Sequence, residues 1–277
     1  MSLEIVPASS FSDEALAACF TAAFDGYIAG SFAMNAAALP RFLARQGADR
    51  ALGRCVVRGG ELLGLAFVGQ YASRRRVGGM GLAAQARGSG ASRLLLQRVI
   101  DEARAAGLDA VELEVFAQNM PALKLYRAMG FIDGPPLWGF SREPGAPLVA
   151  APAVPRVVDT RAAADWLLAH GPADLPYQVS GHALRHADPG GTAWRFGQAL
   201  LLFSEAAEGR LSLPLLVDAD PAQRDAARLL ATLIESHPAH TIRVPQLMRD
   251  DVAGRALREA GFVPLELNQI QMHLPLR

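Results

Sequence analysis

Two stretches set 131 positions apart end in the same way: NMPALKLYRAMGF (residues 119–131) and DDVAGRALREAGF (residues 250–262). Each follows a run with strand character, AVELEVFA in one case and TIRVPQ in the other, and each closes on Gly-Phe. The offset of 131 carries Val111 to Ile242, Ala122 to Ala253, Gly130 to Gly261 and Phe131 to Phe262. A strand, a helix and an exit that recur at one offset imply two copies of a domain-sized unit. At 277 residues the chain has room for a core in each. Between them EPGAPLVAAPAVPR (residues 143–156) carries four prolines and no period, as an extended connector does. The boundary is expected there, giving domains at 1–145 and 156–277.

Within the first copy LEIVPAS reads as an edge strand, and FSDEALAACFTAAF as a helix that Ser12 and Asp13 can start. NAAALPRFLARQ continues as helix. RCVVRGGELLGLAFVG reads as a hairpin turning on Gly59-Gly60, RRRVGGMGLAA as a glycine-rich strand and SRLLLQRVIDEARAAG as a helix ending at Gly107. AVELEVFA alternates strictly, with Val111, Leu113 and Val115 on one face and Glu112 and Glu114 on the other. The second copy weakly repeats the order: TRAAADWLLAH a helix, QALLLFSEAAEGRLSLPLLVD a hairpin, RDAARLLATLIESH a helix, TIRVPQ a strand and DDVAGRALREAGF a helix, while LELNQIQMHL alternates as a strand. The fold class is α+β, two tandem domains, each a mixed, mostly antiparallel sheet flanked by helices.

Several function classes are excluded at the level of charge and composition. Lys plus Arg and Asp plus Glu both number 27, so no basic field exists to draw nucleic acid or an anionic membrane. Cys19 and Cys55 are the two cysteines and stand in no ligand spacing, which argues against a zinc site or disulfide framework. No metal is expected. MSLEIVPASS has no signal pattern and the apolar runs are short, so a cytoplasmic protein is expected; self-association is left open.

The segment ARGSGASRLLL (residues 86–96) leaves a strand and enters a helix through glycines. Unpaired N–H groups at a helix start, with glycine allowing close approach, can hold a phosphate; the same glycines also serve turn geometry alone. The loop lacks the Lys-Ser/Thr ending of a triphosphate loop and the three-glycine dinucleotide fingerprint. Two registers are open, one on Arg87 and Gly90, the other on Gln85, Gly88 and Gly90; the first sets Leu95 and Leu96 at core positions.

Taken together, RGSGASRLLL, ELEV and NMPALKLYRAMGF resemble the GNAT superfamily of acetyl-CoA-dependent N-acetyltransferases. Arg87 and Gly90 fit its first motif, with Ser92 standing where Gly or Ala is usual; Asn119, Ala122, Leu125, Tyr126, Gly130 and Phe131 fit its second. The likeness covers residues 50–140 closely and the first 50 loosely. It implies a sheet that splays beside GGMGLAA, with acetyl-CoA as cosubstrate in the opening. The backbone of Met80, Gly81, Leu82 and Ala83 would bond the pantetheine arm. The N–H groups of Arg87, Gly88, Ser89, Gly90, Ala91 and Ser92 would hold the pyrophosphate, and Asn119 would bond the arm or cap its helix.

In direct transfer an amine expels the CoA sulfur as a thiolate, and Tyr126 is the candidate donor to it. With a phenol near ~10 and a thiol near ~8.5, full proton transfer in water is uphill by ~2 kcal/mol, so a strong hydrogen bond can suffice. Glu114 stands where some relatives carry a base, acting through a water relay; a solvated strand face is the ordinary alternative. All six histidines fall after residue 156, so an imidazole base would have to come from the second copy. Phe24, Tyr27 and Phe32 lie where the acceptor wall forms in the family. The expected function is acetyl transfer to an amine of a small molecule or peptide; the alternative is a non-catalytic acetyl-CoA or CoA sensor. In the second copy Asn119 maps to Asp250 and Tyr126 to Leu257. There DADPAQRDAARLL has no glycine, with Arg224 opposite Gly90, so this half is expected to keep the fold without the cofactor loop.

Overall fold

The computed structural model describes residues 2–145, 150–187, 189–206 and 209–277. In chain order the first elements are β1 (Leu3–Pro7), α1 (Asp13–Ala23), α2 (Leu39–Gln46), β2 (Ala48–Arg58), β3 (Glu61–Tyr71) and β4 (Arg74–Leu82). They are followed by α3 (Ala91–Ala105), β5 (Ala110–Phe116), α4 (Met120–Ala128) and β6 (Ile132–Arg142). Next come β7 (Arg156–Val158), α5 (Thr160–His170), α6 (Gly181–His186), β8 (Thr192–Phe196), β9 (Ala199–Ala206) and β10 (Arg210–Asp218). The chain closes with α7 (Arg224–Ser236), β11 (Thr241–Met248), α8 (Arg255–Glu259), β12 (Val263–Pro264) and β13 (Gln269–Pro275). Two compact units emerge: Met1–Gly134 with Gln271–Arg277, and Pro135–Ile270.

In the first unit β1 to β4 form an antiparallel meander, and β5 joins β4 in parallel. The expected turn at Gly59-Gly60 links β2 to β3, with both glycines at positive φ (59° and 84°). Ser12 caps α1 by accepting from the Ala15 amide at 3.3 Å. One face of the sheet packs Leu16, Phe20, Leu39 and Leu43 of α1 and α2 against Cys55, Leu65 and Phe67. On the α3 side Ala91 packs with Val56, Leu63 and Leu82. Full burial of residues such as Leu16 and Leu65, at 0% exposure, stabilises the unit by roughly 1.5–3 kcal/mol each.

The register of β4 creates the opening that the rest of the site uses. Its pairing with β5 runs from Arg74↔Ala110 to Val77↔Leu113 and ends there. From Gly79 to Leu82 the strand stays bonded to β3 while its other edge has parted from β5. The glycines of β4 also answer to their own neighbours. A Cβ on Gly81 would lie 3.0 Å from Ala23 Cβ and 3.1 Å from Phe24 Cε2, and one on Gly78 would meet Arg76 Nη1 at 2.8 Å and Gln46 Cβ at 3.0 Å. Close approach of α1 and α2 therefore accounts for these two glycines without a ligand.

The second unit repeats the plan. Strands β7 to β10 are antiparallel, β11 runs parallel to β10 through Leu211↔Ile242, and β6 lies antiparallel to β11 through Val244↔Phe140. The helix expected over DDVAGRALREAGF opens with a π-helical turn, Asp250–Gly254, before α8. Strand ownership differs from the expectation. Most of β6 sits with the second unit, while Gln271–Arg277, carrying most of β13, sits with the first, where Leu276 donates its amide to the Asp109 carbonyl at 2.9 Å. The units thus divide at Gly134/Pro135 and not at the proline-rich stretch, part of which, residues 146–149, lies outside the described residues. LELNQIQMHL is accordingly shared, its residues to Ile270 in the second unit and from Gln271 in the first, and His273 belongs to the first unit although the sequence reading placed every histidine in the second.

Candidate active site

The start of α3 is built by two left-handed glycines, Gly88 at φ +75° and Gly90 at φ +84°. A Cβ at either would meet nothing within 4 Å, so both face open space. The loop's amides are not equivalent. Arg87 N–H donates to Ala84 O (3.2 Å), Ser89 N–H to Ala86 O (3.4 Å) and Ala91 N–H to Ser89 Oγ (3.4 Å). Among the described residues nothing accepts from the Arg93 amide in the first turn of α3, and the same holds for three of the expected loop, Gly88, Gly90 and Ser92, at the positive end of the α3 dipole. The expected six-residue cradle narrows to these three. The Arg87 guanidinium is also engaged, with Nε on Leu82 O (3.3 Å) and Nη2 on Ala23 O (3.2 Å), and so ties the end of β4 to the end of α1.

At α4 the thirteen-residue motif behaves as its residues require. Asn119 Oδ1 accepts from Ala122 N at 3.3 Å, Pro121 sits in the first turn, and Gly130 follows the helix at φ +92°. Tyr126 is 7% exposed, and its ring lies 5.8 Å from that of Phe131. Burial raises its phenol above the ordinary value, and the neighbouring Tyr27 adds to the shift. Tyr27, from the segment after α1, hydrogen-bonds the Asn119 side chain. Its ring packs edge-on to Phe24 (5.0 Å) and Phe116 (6.0 Å).

These parts share one cavity of about 540 Å³. Met80, Gly81 and Leu82 of β4, Arg87, Gly88 and Ser92 of the loop, Asn119 and Tyr126 of the motif, and Phe24 and Tyr27 all line it. Ala83 does not; it is buried, and its amide donates to Leu63 O at 2.9 Å. Ser89, Gly90 and Ala91 belong to the loop but do not line the cavity, and neither does Phe32, whose ring lies 5.8 Å from that of Phe24. Asp25 and Gln118 line the cavity unforeseen: no periodicity or motif marks them.

Glu114 is not on that wall. Its carboxylate meets Arg76 Nη2 at 2.6 Å, with side chains 5% and 3% exposed, and Arg76 Nη1 also donates to Gln46 O at 2.8 Å. Glu112 takes Arg74 and the Tyr71 hydroxyl. The solvated strand face is thus replaced by one buried ion pair, Arg76–Glu114, and one half-buried pair, Arg74–Glu112, each arginine reaching the glutamate two residues beyond its register partner. Complementary alternation of Arg74 and Arg76 with Glu112 and Glu114 was the available signal.

The corresponding loop of the second unit is closed by its own side chains. Gln223, left-handed at φ +56° and 2% exposed, takes the place of Gly90 at the helix start, one residue earlier than expected. Its side chain donates to Asp250 O at 2.7 Å and accepts from Ala256 N at 3.0 Å. Buried Asp218 accepts from Ala226 N and Asp220 N, both at 2.9 Å. Two amides of this segment, Asp220 and Ala226, are thus answered by one buried carboxylate.

Residues 31–131 match the family model described as Acetyltransferase (GNAT) family. A 59-residue stretch is 44% identical to an IAA acetyltransferase of Azospirillum brasilense; it is 21% of this chain and 39% of that protein. A GCN5-related N-acetyltransferase from Sphaerobacter thermophilus superposes with a TM-score of 0.66 at 17% identity, covering 99% of this chain and 96% of that one. A tandem GNAT protein from the clavulanic acid biosynthesis pathway gives 0.60 at 14% identity, covering 100% and 99%. At such identities the two structures share the fold with this chain.

Proposed function

We propose that the first unit, whose residues 31–131 match the GNAT acetyltransferase family model, moves an acetyl group from acetyl-CoA to an amine by direct transfer. The observation that carries the reading is the single cavity lined at once by Gly88 and Ser92 of the loop, the parted edge of β4 and Tyr126. The residues suit the cosubstrate. Three unanswered amides and open space at two left-handed glycines match a pyrophosphate at a helix start, and Met80 to Leu82 offer backbone along the wall to the pantetheine amides.

In direct transfer the acceptor nitrogen bonds to the acetyl carbon as the carbon–sulfur bond breaks. Tyr126 is the proton donor to the departing sulfur, and its burial keeps it in the donating form. The proton lost by the amine passes to water. Glu114, held off the wall by Arg76, takes part only as the far end of a water relay. Asn119 fixes the start of α4 and thereby the position of Tyr126 one face along.

Thiol release from acetyl-CoA, read together with the mass of the amine, tests this over polyamines, aminoglycosides, amino acids and peptide N-termini. The expected result is acetylated amine formed one for one with free thiol. Binding of acetyl-CoA with no amine acetylated would turn the reading to a CoA-binding module.

A further inference from the structure

The second unit has a cavity that acetyl transfer in the first does not use. It measures about 350 Å³ and is lined by Val154, Arg156 and Val158, by Ala162 of α5, and by Arg195 and Phe196 at the end of β8. Residues 154, 156 and 158 alternate, so one face of this edge strand is turned to the cavity. The register sets Arg156 directly opposite Arg195 across the β7–β8 pair. Residues so placed stand about 4.5–5.5 Å apart at Cβ, and two like charges there destabilise the sheet. An opposite charge is called for.

The protein does not supply it. Among the described residues no carboxylate pairs with Arg156 or Arg195. Asp159, the cap of α5, accepts from Ala162 N at 2.7 Å, and Asp225, beside the Gly197 turn, accepts from Gln198 N at 2.8 Å. Arg195 is held by neutral groups instead. Its Cζ lies 4.9 Å from the centre of the Trp166 ring, its Nη2 donates to Gly197 O at 3.1 Å, and its Nε is buried without an acceptor. Burial first and Arg156 second draw its pKa below the ordinary arginine value, as for a cation that lacks a counter-charge. A third guanidinium, Arg228, stacks 4.5 Å over the Phe196 ring while its Nη2 donates to Pro152 O at 3.3 Å. Two arginines thus line the cavity and a third backs its aromatic wall.

Size and lining narrow the ligand. Cavities of about 300–1,000 Å³ take organic molecules, and Val154, Val158, Ala162 and Phe196 give this one an apolar wall beside its charges. A planar carboxylate matches the guanidinium fork and can accept from it at both oxygens. Entry is open at Val154, which is 91% exposed. We propose that this cavity binds a small organic carboxylate with an apolar or aromatic body, its carboxylate between Arg156 and Arg195 and its body against Val158 and Phe196. The site shares no residue with the cavity of the first unit and does not depend on the acetyl-transfer reading.

Calorimetric titration of the full chain with 3-phenylpropionate tests it. The controls are 3-phenylpropanamide, which keeps the body without the charge, and inorganic phosphate, which keeps a charge without the body. One equivalent of 3-phenylpropionate is expected to bind with a Kd below about 1 mM, and both controls at least about tenfold more weakly. Arg156→Gln and Arg195→Gln should each weaken 3-phenylpropionate at least about tenfold. Because Arg156→Gln also removes the like-charge contact, it should melt no lower than wild type without ligand; it covers the case of an Arg195 variant that folds poorly after losing Trp166. Saturating acetyl-CoA should leave the binding unchanged. No binding of 3-phenylpropionate, equal binding of the amide, or unchanged affinity or a lower melting temperature in Arg156→Gln would overturn the site. Phosphate binding as tightly would overturn the organic ligand, and displacement by acetyl-CoA would move the ligand to the first unit. None of these results bears on acetyl transfer, which thiol release tests by itself.

Discussion

Burial sets the behaviour of Tyr126 in both directions. Its phenol is shifted upward by desolvation first and by Tyr27 second, so it stays protonated at alkaline pH where a free tyrosine, near ~10, begins to ionise. The rate should therefore climb as the acceptor amine loses its proton and show no fall before about pH 10; a decline setting in near pH 8 in the kcat/KM profile would speak against Tyr126 as the acid. Tyr126→Phe is expected to lower kcat by about 10²-fold while KM for acetyl-CoA changes little, as steady-state thiol release will show. Gly90 makes a different prediction. At φ +84° a β-branched residue is strained, and its side chain would enter the open side of the loop. Gly90→Val should weaken CoA binding by calorimetry at least tenfold.

Strands β4 and β5 show what sequence could and could not convey. The Gly-rich loop, the capped α4 and the Gly59-Gly60 hairpin were legible because each rests on local backbone demands that named residues satisfy. The fate of Glu114 was not, since alternation says which face a side chain takes and not what covers that face. Here the face is covered, and Arg76 answers it at 2.6 Å. Breaking a pair buried to 3% and 5% exposure leaves an uncompensated charge, so Arg76→Ala should destabilise the first unit by about 3–5 kcal/mol in urea unfolding. Replacing both Arg76 and Glu114 by Met should recover much of that loss; an additive double variant would contradict the pairing. Ala83 and the amides of Arg87, Ser89 and Ala91 were likewise beyond reach, because a loop's internal hydrogen bonds depend on turn geometry that residue type alone does not fix.

At the scale of the whole molecule, the repeat at an offset of 131 gave two copies, but not which copy each strand completes. The stretches carrying β6 and β13 have the same local pattern, and pattern is silent about the partner sheet. Because Met272 and Leu274 are buried at 0% and 7% exposure in the first unit, deleting residues 271–277 should lower that unit's stability and its CoA affinity together, measured by thermal melting with and without CoA. The two copies also differ in what lines their helix starts: glycines with open space beside them at Gly88 and Gly90 before α3, and the hydrogen-bonded side chains of Gln223 and Asp218 before α7. The measurement that bears most directly on the account is calorimetric titration of the full chain with acetyl-CoA. One equivalent per chain is predicted, lost or sharply weakened in Gly90→Val and kept in Gln223→Ala; two equivalents, none, or a single site that survives Gly90→Val unchanged would contradict it.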